Sequence, residues 1–296
     1  MEYQITESEQ GIRIDKYLMD KMDISRNRVQ KIIKSGDVLV NDESVKNGYI
    51  VKENDLIIVE YIEEETEIKP EKMELDIVYE DSDVIIVNKD NGIVVHPAVG
   101  NNSGTLVNGL MAYSNSLSSN NGDFRPGIVH RIDAYTTGLL MVAKNDHTHD
   151  FLADQLAKKT VHRVYVALVW GVINNDTGTI DAPIGRDPKN RKKMAVIAEN
   201  GKSAVTHFRV LERYKETTLI ELKLETGRTH QIRVHMNYIG FPIVNDPAYG
   251  RKKLIDDTGQ CLHAKELGFI HPKTKKYMEF DSELPLCFTN ILDKFK

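Results

Sequence analysis

The chain has 296 residues, 41% of them hydrophobic, which suits one large or two unequal globular domains with a real core. Its net charge of −5 argues mildly against nucleic acid as a partner, although phosphate contacts depend on local patches and not on the total. No apolar stretch approaches the roughly 20 residues that span a bilayer, and Met1-Glu2-Tyr3-Gln4-Ile5 lacks the basic head and apolar core of a signal peptide. With only Cys261 and Cys287, no disulfide framework is expected and a reducing cytoplasm is the simpler setting.

Gly11 to about Tyr61 reads as a small α/β module. Arg13-Ile14-Asp15-Lys16-Tyr17-Leu18 starts a helical pattern. Ser25 is a suitable N-cap for a second helix with Val29, Ile32 and Ile33 at core spacing, and Gly36 is a suitable stop. Arg26, Arg28, Lys31 and Lys34 lie on that helix with no acid among them. Val38 to Asn41 and Leu56 to Val59 read as strands. Glu63-Glu64-Glu65 to Pro70 is a charged connecting stretch, so the expected division is residues 1–65, a linker at 66–75 and a larger domain at 76–296.

In the larger domain, Val84 to Asn88, Val161 to Trp170, His207 to Tyr214 and Thr218 to Glu225 are expected strands, the last two as a hairpin. Thr105 to Met111 and His149 to Lys158 read as helices, and Asn115 to Gly122 as a polar, flexible loop. A second basic run, Arg186, Lys189, Arg191, Lys192 and Lys193, is interrupted only by Asp187.

The chemistry concentrates in His130-Arg131-Ile132-Asp133-Ala134-Tyr135-Thr136-Thr137-Gly138-Leu139. Asp133 sits behind an Arg, between the loop Phe124-Arg125-Pro126-Gly127 and the apolar run Leu139 to Ala143. An acid in a short loop between buried segments can be partly desolvated and held by a cation, which prepares it as a nucleophile or base. His147 and His149, or His230 and His235, do not have the spacing of a zinc site, and there is no Cys-x-x-Cys pair. No metal or cofactor is expected. No Walker-type or dinucleotide Gly motif and no Gly-x-Ser-x-Gly elbow occurs, and no second acid is singled out as a glycosidase partner for Asp133.

The Asp133 run resembles the catalytic motif of RNA pseudouridine synthases of the RluA/RluD type. Three further segments match that family in order. His162 to Gly171 contains Tyr165, which by resemblance stacks on the target base. Gly227-Arg228-Thr229-His230-Gln231-Ile232-Arg233 places Arg233 as partner of Asp133 and Ile232 along the site, and Thr229 can cap the helix that runs toward Gly240. An Arg suits a carboxylate because it stays charged and presents a fixed fork. Gly240 to Gly250 and Leu262-His263-Ala264-Lys265 read as scaffold. The N-terminal module resembles the S-four RNA-binding domain over about fifty residues.

The resemblance implies an α+β fold: a mixed, mainly antiparallel sheet with flanking helices, preceded by the small RNA-binding domain. It implies an isomerase that needs no cofactor and flips uridine out of RNA. Asp133, Tyr165 and Arg233 would be catalytic; Arg131, His130, Ile232, Thr136 and Arg228 would bind substrate. Arg26, Arg28, Lys31, Lys34, Arg191, Lys192 and Lys193 would contact RNA phosphates. One departure is Ala134-Tyr135, where the family commonly carries a charged pair; a bulky Tyr135 beside the site can alter target choice. Within that family the chain length and appended domain most resemble the RluD type, which implies large-subunit (23S) ribosomal RNA or a pre-ribosomal particle as partner. A transfer RNA synthase of the same type and a non-catalytic ribosome-assembly factor are the alternatives. A monomer is the default expectation.

Overall fold

Apolar side chains recur first at helical spacing and then in alternation near the N-terminus, and the fold follows that order. The computed structural model describes the chain except for residues 25, 61–67, 98–100, 121–124, 191 and 252–253. It divides into two compact units, Met1–Thr66 and Glu67–Lys296. Ser25, expected as an N-cap, lies outside the described residues.

The first unit contains β1 (Glu2–Gln4), α1 (Ile14–Met22), α2 (Arg26–Ser35), β2 (Val38–Val40), β3 (Glu43–Ser44) and β4 (Leu56–Val59). The four strands form an antiparallel sheet in the order β1-β4-β2-β3. Ile14 and Leu18 of α1 and Val29, Ile32 and Ile33 of α2 are buried with Val38, Val40 and Ile57 of the sheet. Gly36 ends α2 with φ +91, a left-handed conformation that favours glycine. The buried Asp15 ties the two helices together. It accepts from Arg13 Nε at 3.0 Å, Arg26 Nε at 3.1 Å and Gln30 Nε2 at 2.8 Å. The Arg13 guanidinium beside it holds its carboxyl well below the usual range, against the opposing effect of burial.

The second unit contains β5 (Asp76–Glu80), β6 (Val84–Lys89), α3 (Leu106–Tyr113), β7 (Thr137–Ala143), α4 (Asp146–Ala157), β8 (His162–Trp170), β9 (Thr177–Asp181), β10 (Ile184–Arg186), β11 (Met194–Val196), β12 (Val205–Arg213), β13 (Thr217–Leu224), α5 (Gln231–Tyr238), β14 (Leu262–Ile270), β15 (Tyr277–Asp281) and α6 (Leu286–Leu292). Nine strands form one sheet in the order β5-β6-β7-β14-β8-β13-β12-β9, with β15 also paired to β14. All of its pairings are antiparallel except β7 with β14, where Thr137 faces His263 and Gly138 faces Ala264. The fold class is therefore α+β with a mostly antiparallel sheet. β10 and β11 form a separate hairpin.

Both faces of the central sheet are covered. Along β6 and β7, Ile85, Val87, Leu140 and Val142 enter one core cluster, whereas Val84, Ile86, Leu139 and Met141 enter another. This two-residue alternation with every position apolar explains why β7 reads as an uninterrupted hydrophobic run. Residues 66–75, expected as a linker, are packed where described. Ile68 is buried in the larger core, Asn108 Nδ2 donates to Lys69 O at 2.8 Å, and Glu71 N donates to Asn108 O at 3.0 Å. The second unit thus begins ahead of Asp76, where the main chain at Lys69 and Glu71 bonds to Asn108 of α3.

Candidate active site

Asp133 sits in the loop that enters β7. Ile132 beside it is buried, and Thr136 N donates to Asp133 O at 3.0 Å, closing the turn. Thr136 Oγ1 accepts from Gln260 Nε2 at 3.0 Å, and Thr137 Oγ1 bonds His263 Nδ1 at 2.8 Å. His130 Nε2 accepts from Met141 N at 3.1 Å, pinning the loop's other end to β7. Burial and the nearby Arg163 charge pull the His130 imidazole down to about 3, so it serves as a neutral acceptor. Lys89, at the end of β6, is 1% exposed and donates to Asp90 O at 2.7 Å and Ala134 O at 2.8 Å.

The Asp133 side chain is 17% exposed. Its Oδ2 accepts from Arg233 Nη1 at 2.8 Å. Arg233, on α5, spends the rest of its fork on buried Asp246: Nε to Oδ2 at 2.7 Å and Nη2 to Oδ1 at 2.9 Å. Asp246 is fixed in turn by the N–H groups of Ala248 and Tyr249 at 2.8 and 2.9 Å. Burial alone would lower the Arg233 pKa, but Asp246 and Asp133 together raise it above its ordinary value. Burial alone would raise the Asp246 pKa, but Arg233 and the two N–H groups lower it. Asp133 therefore has one oxygen held and one, Oδ1, left toward the cavity.

His230 faces that oxygen, with Nε2 3.8 Å from Oδ1. Tyr249 Oη takes a hydrogen bond from Met194 N at 2.8 Å and lies 2.9 Å from His230 Nδ1. Burial lowers the His230 pKa below its ordinary value, against the opposing pull of Asp133.

These groups open into a cavity of about 380 Å³. All eight residues expected to be catalytic or to bind substrate line it: Asp133, Tyr165 and Arg233, and with them His130, Arg131, Ile232, Thr136 and Arg228. Tyr165, 7% exposed and central in β8, pairs with Ala264 of β14 and Leu222 of β13. Arg131 is exposed, with Nη1 3.4 Å from His96 Nε2. Arg228 Nε donates to Ser203 O at 3.0 Å. Tyr135 does not line this cavity: it packs against Gly259, where an added Cβ would come within 2.4 Å of its Cβ. Thr229 does not cap α5. The helix starts at Gln231, and left-handed His230, with φ 57, stands at its N-cap without a side-chain cap bond. The turn is organised by Gln231 Oε1, which accepts from Thr226 Oγ1 at 2.8 Å and Arg228 N at 2.9 Å.

Sequence alone does not single out Lys89, Arg163, His230 or Gln260, and Asp246 and Tyr249 read there as scaffold. Asp246 has a signal in the turn residues around it, since an acid before Pro247 suits a tight turn; its grip on Arg233 has none.

The basic residues fall elsewhere. Arg28, Lys31 and Lys34 lie on α2 of the first unit, and Arg26 there is bound to Asp15. Lys192 and Lys193 lie in the β10–β11 hairpin, with Arg191 outside the described residues. Lys193 Nζ turns back to bond Ala248 O and stands 5.6 Å above the Tyr249 ring. Asp81, Asp83 and His271 also converge, but His271 Nδ1 accepts from Lys273 N and Thr274 N. The ring proton is then on Nε2, 2.8 Å from Asp81 Oδ2, which leaves no nitrogen lone pair for a metal.

A half-buried, singly held carboxylate in a cavity that is apolar on one wall and cationic on another is suited to acting on an anionic, flat substrate. Residues 83–238 match the RNA pseudouridylate synthase family, and residues 12–57 match the S4 domain. The RNA pseudouridine synthase YlyB of Bacillus subtilis is 54% identical over 293 residues, 98% of this chain and 96% of that protein. The ribosomal large subunit pseudouridine synthase D of Neisseria meningitidis serogroup B is 46% identical over 296 residues, 95% of this chain and 78% of that one. The solved structure of human RNA pseudouridylate synthase domain containing 1 superposes with a TM-score of 0.59 at 27% identity, over 71% of this chain and 83% of that one. The chain belongs to the RNA pseudouridylate synthase family. It is an isomerase that converts uridine to pseudouridine in RNA, and an S-four RNA-binding domain precedes its catalytic part. No helix among the described residues is long and apolar enough to cross a membrane.

Proposed function

We propose that Asp133 is the reactive group and that the substrate is large-subunit (23S) ribosomal RNA, free or in a pre-ribosomal particle. The observation that carries the first part is the unequal hold on Asp133: Arg233 fixes Oδ2 at 2.8 Å while Oδ1 is open to the cavity. The second part is supported by the relative named for the large ribosomal subunit.

The reaction cuts the bond from the anomeric carbon to N1 of uracil, turns the base, and joins C5 to that carbon. C5 gives up a proton and N1 gains one, so atoms and electrons balance without a cofactor. A stacked base cannot turn, so the uridine is flipped into the cavity. Arg131, exposed at the rim, fills the vacated space in the RNA. Tyr165 and Ile232 provide the apolar walls against which the uracil stacks, and both are buried enough to keep water from the detached base. Oδ1 of Asp133 then acts on the sugar, either attacking the anomeric carbon or removing a sugar proton. Arg233 aims the carboxylate through its bond to Oδ2. Arg28, Lys31 and Lys34 on α2, with Lys192 near the hairpin tip, supply phosphate contacts. The catalytic work needs one chain, consistent with a monomer.

The test is incubation of the protein, without added metal or nucleotide, with deproteinised 23S ribosomal RNA and with bulk transfer RNA from a strain lacking its gene. Pseudouridine is then mapped chemically in both. New sites are expected in 23S RNA, and Asp133→Asn should lose at least about 10³-fold in turnover while binding RNA within a few-fold of the parent. Turnover retained in Asp133→Asn removes the assignment of Asp133, and new sites confined to transfer RNA remove the ribosomal substrate.

A further inference from the structure

Arg163 is the second residue of β8. It is 9% exposed and lines the cavity. Its Nε is buried without a hydrogen-bond partner, and among the described residues no carboxylate pairs with it. Its Nη1 lies beneath the Gly227 turn, where an added Cβ would stand 3.0 Å away. The one carboxylate in the cavity, Asp133, is already paired with Arg233. A buried guanidinium is costly unless an anion completes it, so native proteins pair such groups or use them to receive a charged ligand.

We propose that Arg163 is a phosphate anchor: its guanidinium receives a non-bridging oxygen of the phosphodiester beside the flipped uridine. This rests on the reading of the cavity given above. Arg163 and Tyr165 are two residues apart on one strand, so their side chains leave the same face about 6.6 Å from each other. That separation lets one face the base while the other faces the phosphate of the same nucleotide. A planar fork of N–H donors matches two phosphate oxygens, and an RNA strand brings such a group to the cavity before any bond is broken. The exposed Arg131 and Arg228 then serve neighbouring stretches of the strand, while Arg163 fixes the depth to which the target nucleotide enters. The leaving uracil also carries negative charge, but only while it is detached, and the experiment separates the two.

The full-length protein is compared with Arg163→Met and Arg163→Lys. Equilibrium binding to transcribed 23S ribosomal RNA is measured in the Asp133→Asn background across a range of KCl concentrations, and single-turnover rates are measured at saturating RNA with Asp133 present. Arg163→Met should raise Kd about tenfold and flatten the plot of log K against log salt by about 0.7, the change that follows when one single-strand phosphate is no longer neutralised. Any fall in its single-turnover rate should accompany the rise in Kd, and Arg163→Lys should recover part of the affinity. In the parent protein, uridine 3′- or 5′-monophosphate should inhibit better than uridine, and this needs no variant to fold. Equal inhibition by nucleotides and nucleoside, or unchanged Kd and salt slope in a folded Arg163→Met, overturns the proposal. A single-turnover rate that falls while Kd is unchanged also overturns it and assigns the guanidinium to the detached base. Activity of Asp133→Asn, run alongside, reports separately on the carboxylate.

Discussion

Lys89 and Arg233 show how two buried cations do different work beside one carboxylate. Arg233 stays charged because two acids surround it. Lys89 has only carbonyl partners within bonding distance, and burial pulls its pKa from the ordinary 10.5 down to about 7. The clamp on Ala134 O survives loss of the proton, since a neutral amine still carries two N–H bonds for two carbonyls. Stability, however, depends on pH. Between about 7 and 10.5 the unfolded chain holds this proton and the folded chain does not, so this group makes stability rise with pH across that window and leaves it flat below. The slope cannot exceed about 1.4 kcal/mol per pH unit. Chemical unfolding of the parent and of Lys89→Met from pH 7 to 9.5 should give a difference that grows with pH in favour of the parent. Parallel curves would mean that Lys89 keeps its proton in the folded protein.

The start of β7 is gripped from both sides, and that places Asp133. Gly138 pairs with Lys89 of β6 and with Ala264 of β14, at φ +107. A Cβ there would lie 2.2 Å from Ala264 O and 2.7 Å from Ala264 N, both main-chain atoms that cannot step aside. Gly138→Ala should therefore cost at least about 3 kcal/mol. For a unit of this size that is a fall of roughly 6 °C or more in the thermal midpoint, read by calorimetry. A midpoint within about 1 °C of the parent would show that β7 and β14 can separate without consequence. In the sequence, β7 is legible as the run Leu139 to Ala143, and β6, β8, β12, β13, α3 and α4 as periodic segments. The pairing of β7 with β14 is not, because it joins residues 126 positions apart. β14 itself hides its alternation: a register shift between Ala264 and Glu266 breaks the pattern, and apolar residues fall on both faces. Short β1, β3, β9, β10 and β11 have too few residues to establish a period. The same limit applies at the site. Asp133, Tyr165 and Arg233 stand out through motifs, whereas Lys89 and Arg163 look in sequence like ordinary strand cations and become unusual only when burial is known.

At the scale of the whole chain, two separate cores argue that recognition and chemistry are separable. The apolar cluster of the first unit runs from Ile5 to Val59, and among the described residues none of the clusters of the second includes a residue before Ile68. Every residue lining the cavity belongs to the second unit. In the first unit acids outnumber bases, so any attraction to RNA must come from α2, whose sequence carries Arg28, Lys31 and Lys34 and no acid. Arg26 on the same helix is bound to Asp15. Removing residues 1–66 should then leave a folded protein with one thermal transition and an unchanged, Asp133-dependent single-turnover rate at saturating RNA. Its KM for 23S ribosomal RNA should rise about tenfold, and its salt dependence should become shallower by roughly 0.7 for each phosphate no longer neutralised, about 2 in all for three side chains. Those slopes are obtained by repeating the titration at four or five KCl concentrations. An unchanged KM and slope would deprive α2 of its role in RNA binding, while loss of the single-turnover rate would mean that the first unit shapes the catalytic cavity and does more than deliver RNA to it.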